Sequence, residues 1–264
     1  MGRFAPHPAR RPALVTGASS GIGAATARVL AGAGHPVALA ARRRDRLEEL
    51  ADELRRHGAE AVVLPCDLAQ APERAALLDQ AEAELGPLEI LVANAGGNAP
   101  GGVLDTEPGD FAALVALNLL AVQDLVHTLG AAMAARGRGD LVFVTSDVVP
   151  RPRPHMAAYV SAKWGLEGMA RALQLELEGT GVRASVVRPG PTLTAMGMDW
   201  DPEVTGQVLE AWARFGFARH DHFLPPASVA AAVAAVVTAP PGTHLALVEV
   251  QPEAPPSHPP KEAP

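Results

Sequence analysis

The chain has 264 residues and 48% apolar side chains, enough to bury the core of one α/β domain, but only 4% aromatics, so that core must be built from Ala, Val and Leu. A net charge of −7 with no basic face excludes a nucleic-acid partner, and a lone cysteine, Cys66, excludes an internal disulfide. Residues 1–11 hold Arg and Pro without an apolar core, so they are no secretory signal, and no stretch reads as a membrane span; a soluble, cytoplasmic protein is expected.

Residues 1–11 are predicted to form a mobile Pro/Arg arm. An apolar strand over 13–16 then runs into Gly17, Gly21 and Gly23, with Ser19, Ser20 and Ile22 between them, and an Ala-rich helix follows over 24–34. Strand, glycine turn and helix in that order suit a pyrophosphate. The glycines let the backbone approach it, the helix N-terminus offers unpaired N–H groups, and the two serines add hydroxyl donors. A second strand over 36–41 ends at Ala41, where an NAD site usually carries an acidic residue for the ribose 2′-hydroxyl. Here Arg42, Arg43 and Arg44 follow. A guanidinium fork grips phosphate oxygens, so the predicted cofactor is NADP(H) in preference to NAD(H), with Arg42 the first and Arg43 the second ligand of a 2′-phosphate. The next helix, 45–57, has the balanced charges of an exposed face.

A third strand over 61–66 leads to Asp67 and Leu68. Asp67 either accepts from an adenine amino group or caps the helix over 72–85. The fourth strand, 88–93, ends in Asn94, Ala95, Gly96 and Gly97, small residues that permit close backbone approach to a ligand. Asn94 either meets that ligand or stitches neighbouring strands. A helix over 107–134 is apolar nearly all the way round, which predicts cover on both sides, the outer one from another subunit. Asn118 in its middle either makes a buried hydrogen bond or bends the helix.

The fifth strand, 141–146, ends in Ser146; Asp147, Val148, His155 and Met156 flank it as pocket candidates, although His155 reads equally well as a solvated loop residue. A helix over 156–177 puts Tyr159, the only tyrosine, and Lys163 at i and i+4, on one face. A free phenol has a pKa of about 10. An adjacent ammonium favours the phenolate, and a drop of about 3 units corresponds to roughly 4 kcal/mol. Lys163 is therefore expected to lower the pKa of Tyr159. The sixth strand, 182–188, closes with Pro189 and Gly190, followed by Thr192 and Thr194. Residues 195–225 are predicted to be irregular; their Trp200, Trp212, Phe215, Phe217 and Phe223 suggest a lid, over about 191–225, above an apolar ligand, or else packing onto a neighbouring helix. A helix over 226–237, a seventh strand over 244–250 and a Pro-rich tail over 251–264 complete the chain.

The alternation predicts an α/β, doubly wound Rossmann fold: one domain over 12–250 with a seven-stranded parallel sheet flanked by helices. Over about residues 11–250 the ordered motifs resemble the short-chain dehydrogenase/reductase family. Thr16, Gly17, Gly21, Ile22 and Gly23 are similar to its cofactor loop, and Asn94, Ala95 and Gly96 to its Asn-Asn-Ala-Gly stretch, with Ala93 where the first Asn is common. Asn118, Ser146, Tyr159 and Lys163 match its catalytic tetrad in order, and Pro189, Gly190, Thr192 and Thr194 resemble the segment that holds the nicotinamide carboxamide.

The resemblance implies hydride transfer between NADP(H) and a carbonyl or secondary alcohol of a small molecule, with no metal, and the aromatic residues of 195–225 suggest that the molecule is apolar. Tyr159 would exchange the proton, Ser146 would position the substrate oxygen, Lys163 would also hold the nicotinamide ribose, and Asn118 would order a water leading to solvent. The two-sided apolar helices around Asn118 and Lys163 predict a homo-oligomer, a tetramer first and a dimer second. The chain departs from the family after its last strand, where Gln251 and Pro252 replace a glycine-rich stretch. A cofactor-binding sensor on the same scaffold is the alternative from another class; an epimerase or dehydratase is disfavoured by the short chain remaining after Gly190.

Overall fold

The computed structural model describes residues 4, 6–198, 200–217 and 220–255. Seven strands form one sheet: β1 (Ala13–Thr16), β2 (Val37–Ala41), β3 (Ala61–Pro65), β4 (Ile90–Ala93), β5 (Gly139–Val144), β6 (Val182–Pro189) and β7 (Leu247–Val250). All neighbours pair in parallel, in the order β3-β2-β1-β4-β5-β6-β7. The central strands β1, β4 and β5 are buried along their whole length, which is why they read as continuous apolar runs rather than alternating ones. The strand order reverses between β1 and β4. The crevice outside their carboxyl ends is where such sheets take ligands.

Each face of the sheet has its own core. On one, α1 (Gly21–Gly32), α2 (Arg44–Arg56) and α8 (Pro226–Thr238) pack Leu30, Leu47 and Val233 against Val15, Leu39 and Val92. On the other, α3 (Ala71–Leu85), α5 (Ala121–Arg136) and α6 (Ala157–Glu176) pack Leu77, Leu125 and Leu166 against Leu14, Leu91 and Phe143.

Several expected boundaries change. The helix predicted over 107–134 is α4 (Pro108–Val115), a π turn (Ala116–Leu120) and α5. Asn118 sits in that turn and donates from Nδ2 to Leu114 O (2.9 Å) and Gly97 O (3.0 Å), so it makes the buried hydrogen bond and does so where the helix departs from α geometry. The whole run Pro108–Arg136 has the length and mean hydropathy, 1.6, of a bilayer-crossing helix. Here the inner face of α5 lies on the sheet. Residues 195–225 are not irregular throughout: α7 (Pro202–Arg214) occupies their middle. Asp201 caps it, accepting from Glu203 N (2.8 Å) and Val204 N (3.2 Å), and Pro202 suits the first turn, where no N–H is needed. The seventh strand starts at Leu247 rather than 244.

Of the predicted arm, Met1, Gly2, Arg3 and Ala5 lie outside the described residues, as do residues 256–264 of the predicted tail. The end of the arm is pinned. Arg11 is 2% exposed, pairs with Asp140 and Glu89 (3.4 Å), and donates to Val237 O (3.2 Å). Arg183 grips the same Asp140 through two bonds, 2.7 and 3.0 Å. This buried cluster ties the amino ends of β5 and β6 to α8 at the edge of the sheet opposite the ligand crevice. Removing one member strands a buried charge, which costs far more than the intact pair contributes. Asp140→Asn is therefore expected to lower unfolding stability in urea by about 3–5 kcal/mol; a loss under about 1 kcal/mol would mean that the cluster does not anchor the sheet.

Candidate active site

Helix α6 carries Tyr159, Lys163 and Glu167 on successive turns of one face, and all three are buried. Lys163 Nζ donates to Val144 O (2.9 Å) at the carboxyl end of β5 and stands 5.7 Å from the centre of the Tyr159 ring. Two residues beyond Val144 is Ser146, buried, with its Oγ accepting from Val148 N (3.3 Å) and donating to Asp147 Oδ1 (3.4 Å), near enough to the Tyr159 phenol to favour its ionised form. Tyr159 packs with Val148 and Met156, and Trp212 of α7 closes over this cluster. Of the pocket candidates, His155 has a left-handed backbone (φ 59°), the only non-glycine residue to do so among the described residues; its carbonyl accepts from Gly101 N (2.9 Å). Ser146, Tyr159 and Lys163 are thus brought together as the spacing predicts.

The expected direction of the phenol's shift is corrected. Burial pushes Tyr159 up to about 12; the nearby Ser146 hydroxyl works against this and does not win. Burial likewise pushes Lys163 down to about 8. The ammonium lies beside the aromatic ring, whose face it attracts only weakly, while the surrounding protein excludes the water that would solvate a phenolate. The resting pair is therefore a protonated phenol next to a poorly solvated ammonium. Since the folded pKa of Lys163 lies below its ordinary 10.5, the unfolded chain binds more protons between pH 8 and 10.5, and the contribution of this group to stability rises with pH across that window.

Asn118 and Lys163 converge on one point. A side chain built on Gly96 would collide with Asn118 Oδ1 and lie 3.7 Å from Lys163 Nζ. That Oδ1 is buried without a hydrogen-bond partner among the described residues. An orphaned buried acceptor beside an ammonium is what a ligand or ordered water satisfies.

The glycine turn lies in front of them. Gly17 has φ +70°, and a Cβ there would press on Asn94 Nδ2 (2.8 Å); a Cβ on Gly23 would strike Gly17 O. Ser20 stands at the N-cap of α1 without capping it through its side chain, so the helix's first N–H groups are not spent on that hydroxyl. A Cβ on Gly21 would meet the Thr194 methyl (3.2 Å), so the segment after Gly190 comes over the turn, where Thr192 Oγ1 donates to Gly190 O (2.8 Å). This cradle of bare backbone, an open helix end and an orphaned acceptor fits a dinucleotide.

Individual candidates fare differently. Arg43, not Arg42, lies against the turn: both are exposed, but Arg43 Nη2 donates to Ser19 Oγ (2.9 Å) and Ser20 Oγ (2.7 Å), whereas the Arg42 side chain makes no hydrogen bond among the described residues. Asp67 does not cap α3, whose N-cap is Gln70; its Oδ1 accepts from Ala69 N (3.0 Å). The Leu68 side chain lies in the core, which leaves only backbone for a ligand. Asn94 does stitch strands: its Nδ2 donates to Thr16 O (2.9 Å), while the backbone N–H groups of Asn94 and Ala95 both donate to Thr16 Oγ1 (3.0 Å).

Sequence reasoning missed four ion pairs near the site. Glu167 is held by Arg188 (2.5 Å) and Arg171 (2.8 Å), and Arg188 reaches on to Glu249 (2.7 Å), which braces α6 against β6 just before Pro189. The repeat of Tyr159, Lys163 and Glu167 at intervals of four was the available signal. Asp147 pairs with Arg153, and nothing in the spacing announced it.

Comparison with known proteins agrees with this geometry. Residues 11–205 match the family described as short chain dehydrogenase. A glycine betaine reductase of Emericella nidulans is 35% identical over 239 residues, 90% of this chain but 18% of that protein. A short chain dehydrogenase of Pseudocercospora fijiensis is 37% identical over 190 residues, 71% of this chain and 61% of that protein, so the chain spans less than two thirds of either relative. The structure of an alcohol dehydrogenase from the archaeon Thermococcus sibiricus, complexed with 5-hydroxy-NADP, superposes with a TM-score of 0.78 at 29% identity, covering 91% of this chain and 96% of that one. The parallel sheet, the glycine cradle and the matched sequence lead to one assignment: the chain belongs to the short chain dehydrogenase family.

Proposed function

We propose that the protein is an NADP(H)-dependent oxidoreductase that reduces the carbonyl of a small molecule to a secondary alcohol, with Tyr159 as proton donor. The observation that carries this reading is the buried convergence of Tyr159, Lys163 and Ser146 beside the glycine cradle. When bound, the reduced nicotinamide supplies the hydride. Gly17, Ser19, Ser20, Gly21, Ile22 and Gly23 would hold the pyrophosphate, Asp67 and Leu68 would border the adenine, and Asn94, Ala95 and Gly96 would line the crevice. Pro189, Gly190, Thr192 and Thr194 would hold the carboxamide.

Ser146 donates a hydrogen bond to the carbonyl oxygen, and Tyr159 gives that oxygen its proton as negative charge develops there, so C=O becomes CH–OH. Lys163 stabilises the phenolate left behind and holds the ribose. Asn118, through its unpartnered Oδ1, orders the water through which Tyr159 regains a proton. Arg43 supports a 2′-phosphate from its position over the serines of the turn, with Arg42 second to it. The half-exposed Leu120 and Trp164, at 55% and 52%, support the homo-oligomer, a tetramer before a dimer.

Tyr159→Phe is expected to leave NADPH binding, read by cofactor fluorescence, nearly intact and to cut turnover of a ketone panel by about a hundred- to ten-thousand-fold; turnover at the wild-type rate would remove Tyr159 from the chemistry. For Lys163, the sequence allows a clean titration, since Lys163 and Lys261 are its only lysines. In a Lys261→Arg protein labelled at lysine, the one remaining NMR signal should titrate near pH 8; a midpoint at the ordinary 10.5 would contradict the burial described for it. Arg43→Ala should weaken NADPH binding about tenfold while changing NADH binding little, with Arg42→Ala the smaller effect. Equal losses for both cofactors would place Arg43 outside the 2′-phosphate site.

A further inference from the structure

A cavity of about 210 Å³ opens beside Ser146, with Asp147, Arg151, Arg153, Phe217, His220 and His222 on its wall. Asp147 links it to the reacting groups. Asp147 accepts from Ser146 Oγ (3.4 Å), and the charges of Asp147 and Arg153 both act on the Tyr159 phenol.

The aromatic residues that suggested an apolar ligand do another job here. Arg153 stacks on the Trp212 ring at 5.2 Å, and that ring's Nε1 donates to Pro154 O (3.0 Å). Arg151 stands 5.8 Å from the centre of Phe217. The rings orient cations at the mouth of the cleft.

The wall's two arginines, Arg151 and Arg153, equal its two acids, Asp147 and Glu249, in number, but the pairing leaves Arg151 over. Asp147 is taken by Arg153, and Glu249, also on the wall, by Arg188 (2.7 Å). Arg151 has no acidic partner among the described residues. His220 keeps its Nδ1 buried without a hydrogen-bond partner among the described residues. In a chain of net charge −7 an arginine left without an acid runs against the background.

We propose that the substrate of the reductase is a small carbonyl compound bearing a carboxylate or like anion, which Arg151 receives with His220 while the carbonyl lies at Ser146 and Tyr159. The proposal rests on the reductase reading above and adds the substrate class to it. A guanidinium fork binds a carboxylate through two parallel hydrogen bonds, which selects planar anions over neutral isosteres. The cavity lies below the range of about 300–1,000 Å³ that houses drug-sized ligands, so the expected compound is compact, unlike a steroid or a long acyl chain.

The test uses the full chain with NADPH and short oxo acids of four to six carbons, each paired with its methyl ester. Two quantities are measured: turnover by loss of reduced-nicotinamide absorbance, and binding by calorimetry. Acids are expected to exceed their esters about tenfold or more in both, and Arg151→Gln to close the gap chiefly through KM. Arg151 is exposed, so this variant should fold. Esters that bind and react as well as acids would overturn the anion proposal and leave the reductase reading standing. Acids that bind preferentially, in an Arg151-dependent way, with no turnover of any compound would keep the anion site and sink the reductase reading. No binding preference anywhere in the panel overturns the proposal.

Discussion

A buried ammonium with no carboxylate beside it is the constraint around which this site is built. Lys163 is sealed on α6 with a backbone carbonyl as its hydrogen-bond partner, and burial alone moves its pKa from 10.5 to about 8. That shift corresponds to about 3 kcal/mol disfavouring the charged form. Such a group persists only when its surroundings are rigid enough to hold it. Here α6 is fixed one turn later by Glu167, gripped from β6 by Arg188 and from its own helix by Arg171. The same braces set the height of Tyr159 against Ser146 and of Gly190 against the crevice.

The two edges of the sheet hold their charges differently. At the amino edge, Arg11, Asp140 and Arg183 pair with one another and the cluster anchors strands to α8, although Arg11 Nε and Glu89 Oε2 make no hydrogen bond among the described residues. At the carboxyl edge, polar atoms are left wanting: Asn118 Oδ1 has no partner among the described residues, and Tyr159 and Lys163 each bear the penalty of burial. Local inconsistency of that kind concentrates where a protein binds and reacts rather than where it holds itself together. The π turn at Asn118 belongs to the same pattern, because it spends a regular helical bond to aim one amide at Gly96 and Gly97.

Much of this was legible in the chain because the deciding physics is local. Gly17, Gly21 and Gly23 stand where a side chain would strike the turn or a neighbour. Tyr159 and Lys163 share a face because helical periodicity demands it, and Asn118 betrayed itself as an amide in an apolar helix. What stayed hidden depends on distance along the chain or on dielectric. The Arg11–Asp140 pair spans 129 residues, and no spacing rule announces it. Helix α7 was obscured by its aromatics, although Asp201 followed by Pro202 is an ordinary helix start. The direction of the Tyr159 shift was misjudged because spacing gives proximity to a cation but not the amount of water between them, and desolvation outweighed attraction.

That reversal favours one direction of chemistry in the resting protein. A phenol held up to about 12 is a proton donor at neutral pH without further adjustment. To act as an acceptor it must first lose that proton, which burial disfavours. Lys163, down at about 8, is still mostly protonated at neutral pH and is the positive charge at hand to soften the step. Reduction therefore starts from the state the fold already stabilises, whereas oxidation needs additional positive charge at the site before the phenol yields. Arg153 supplies some of it, since its guanidinium also favours the phenolate, but Asp147 opposes it from the same cavity wall.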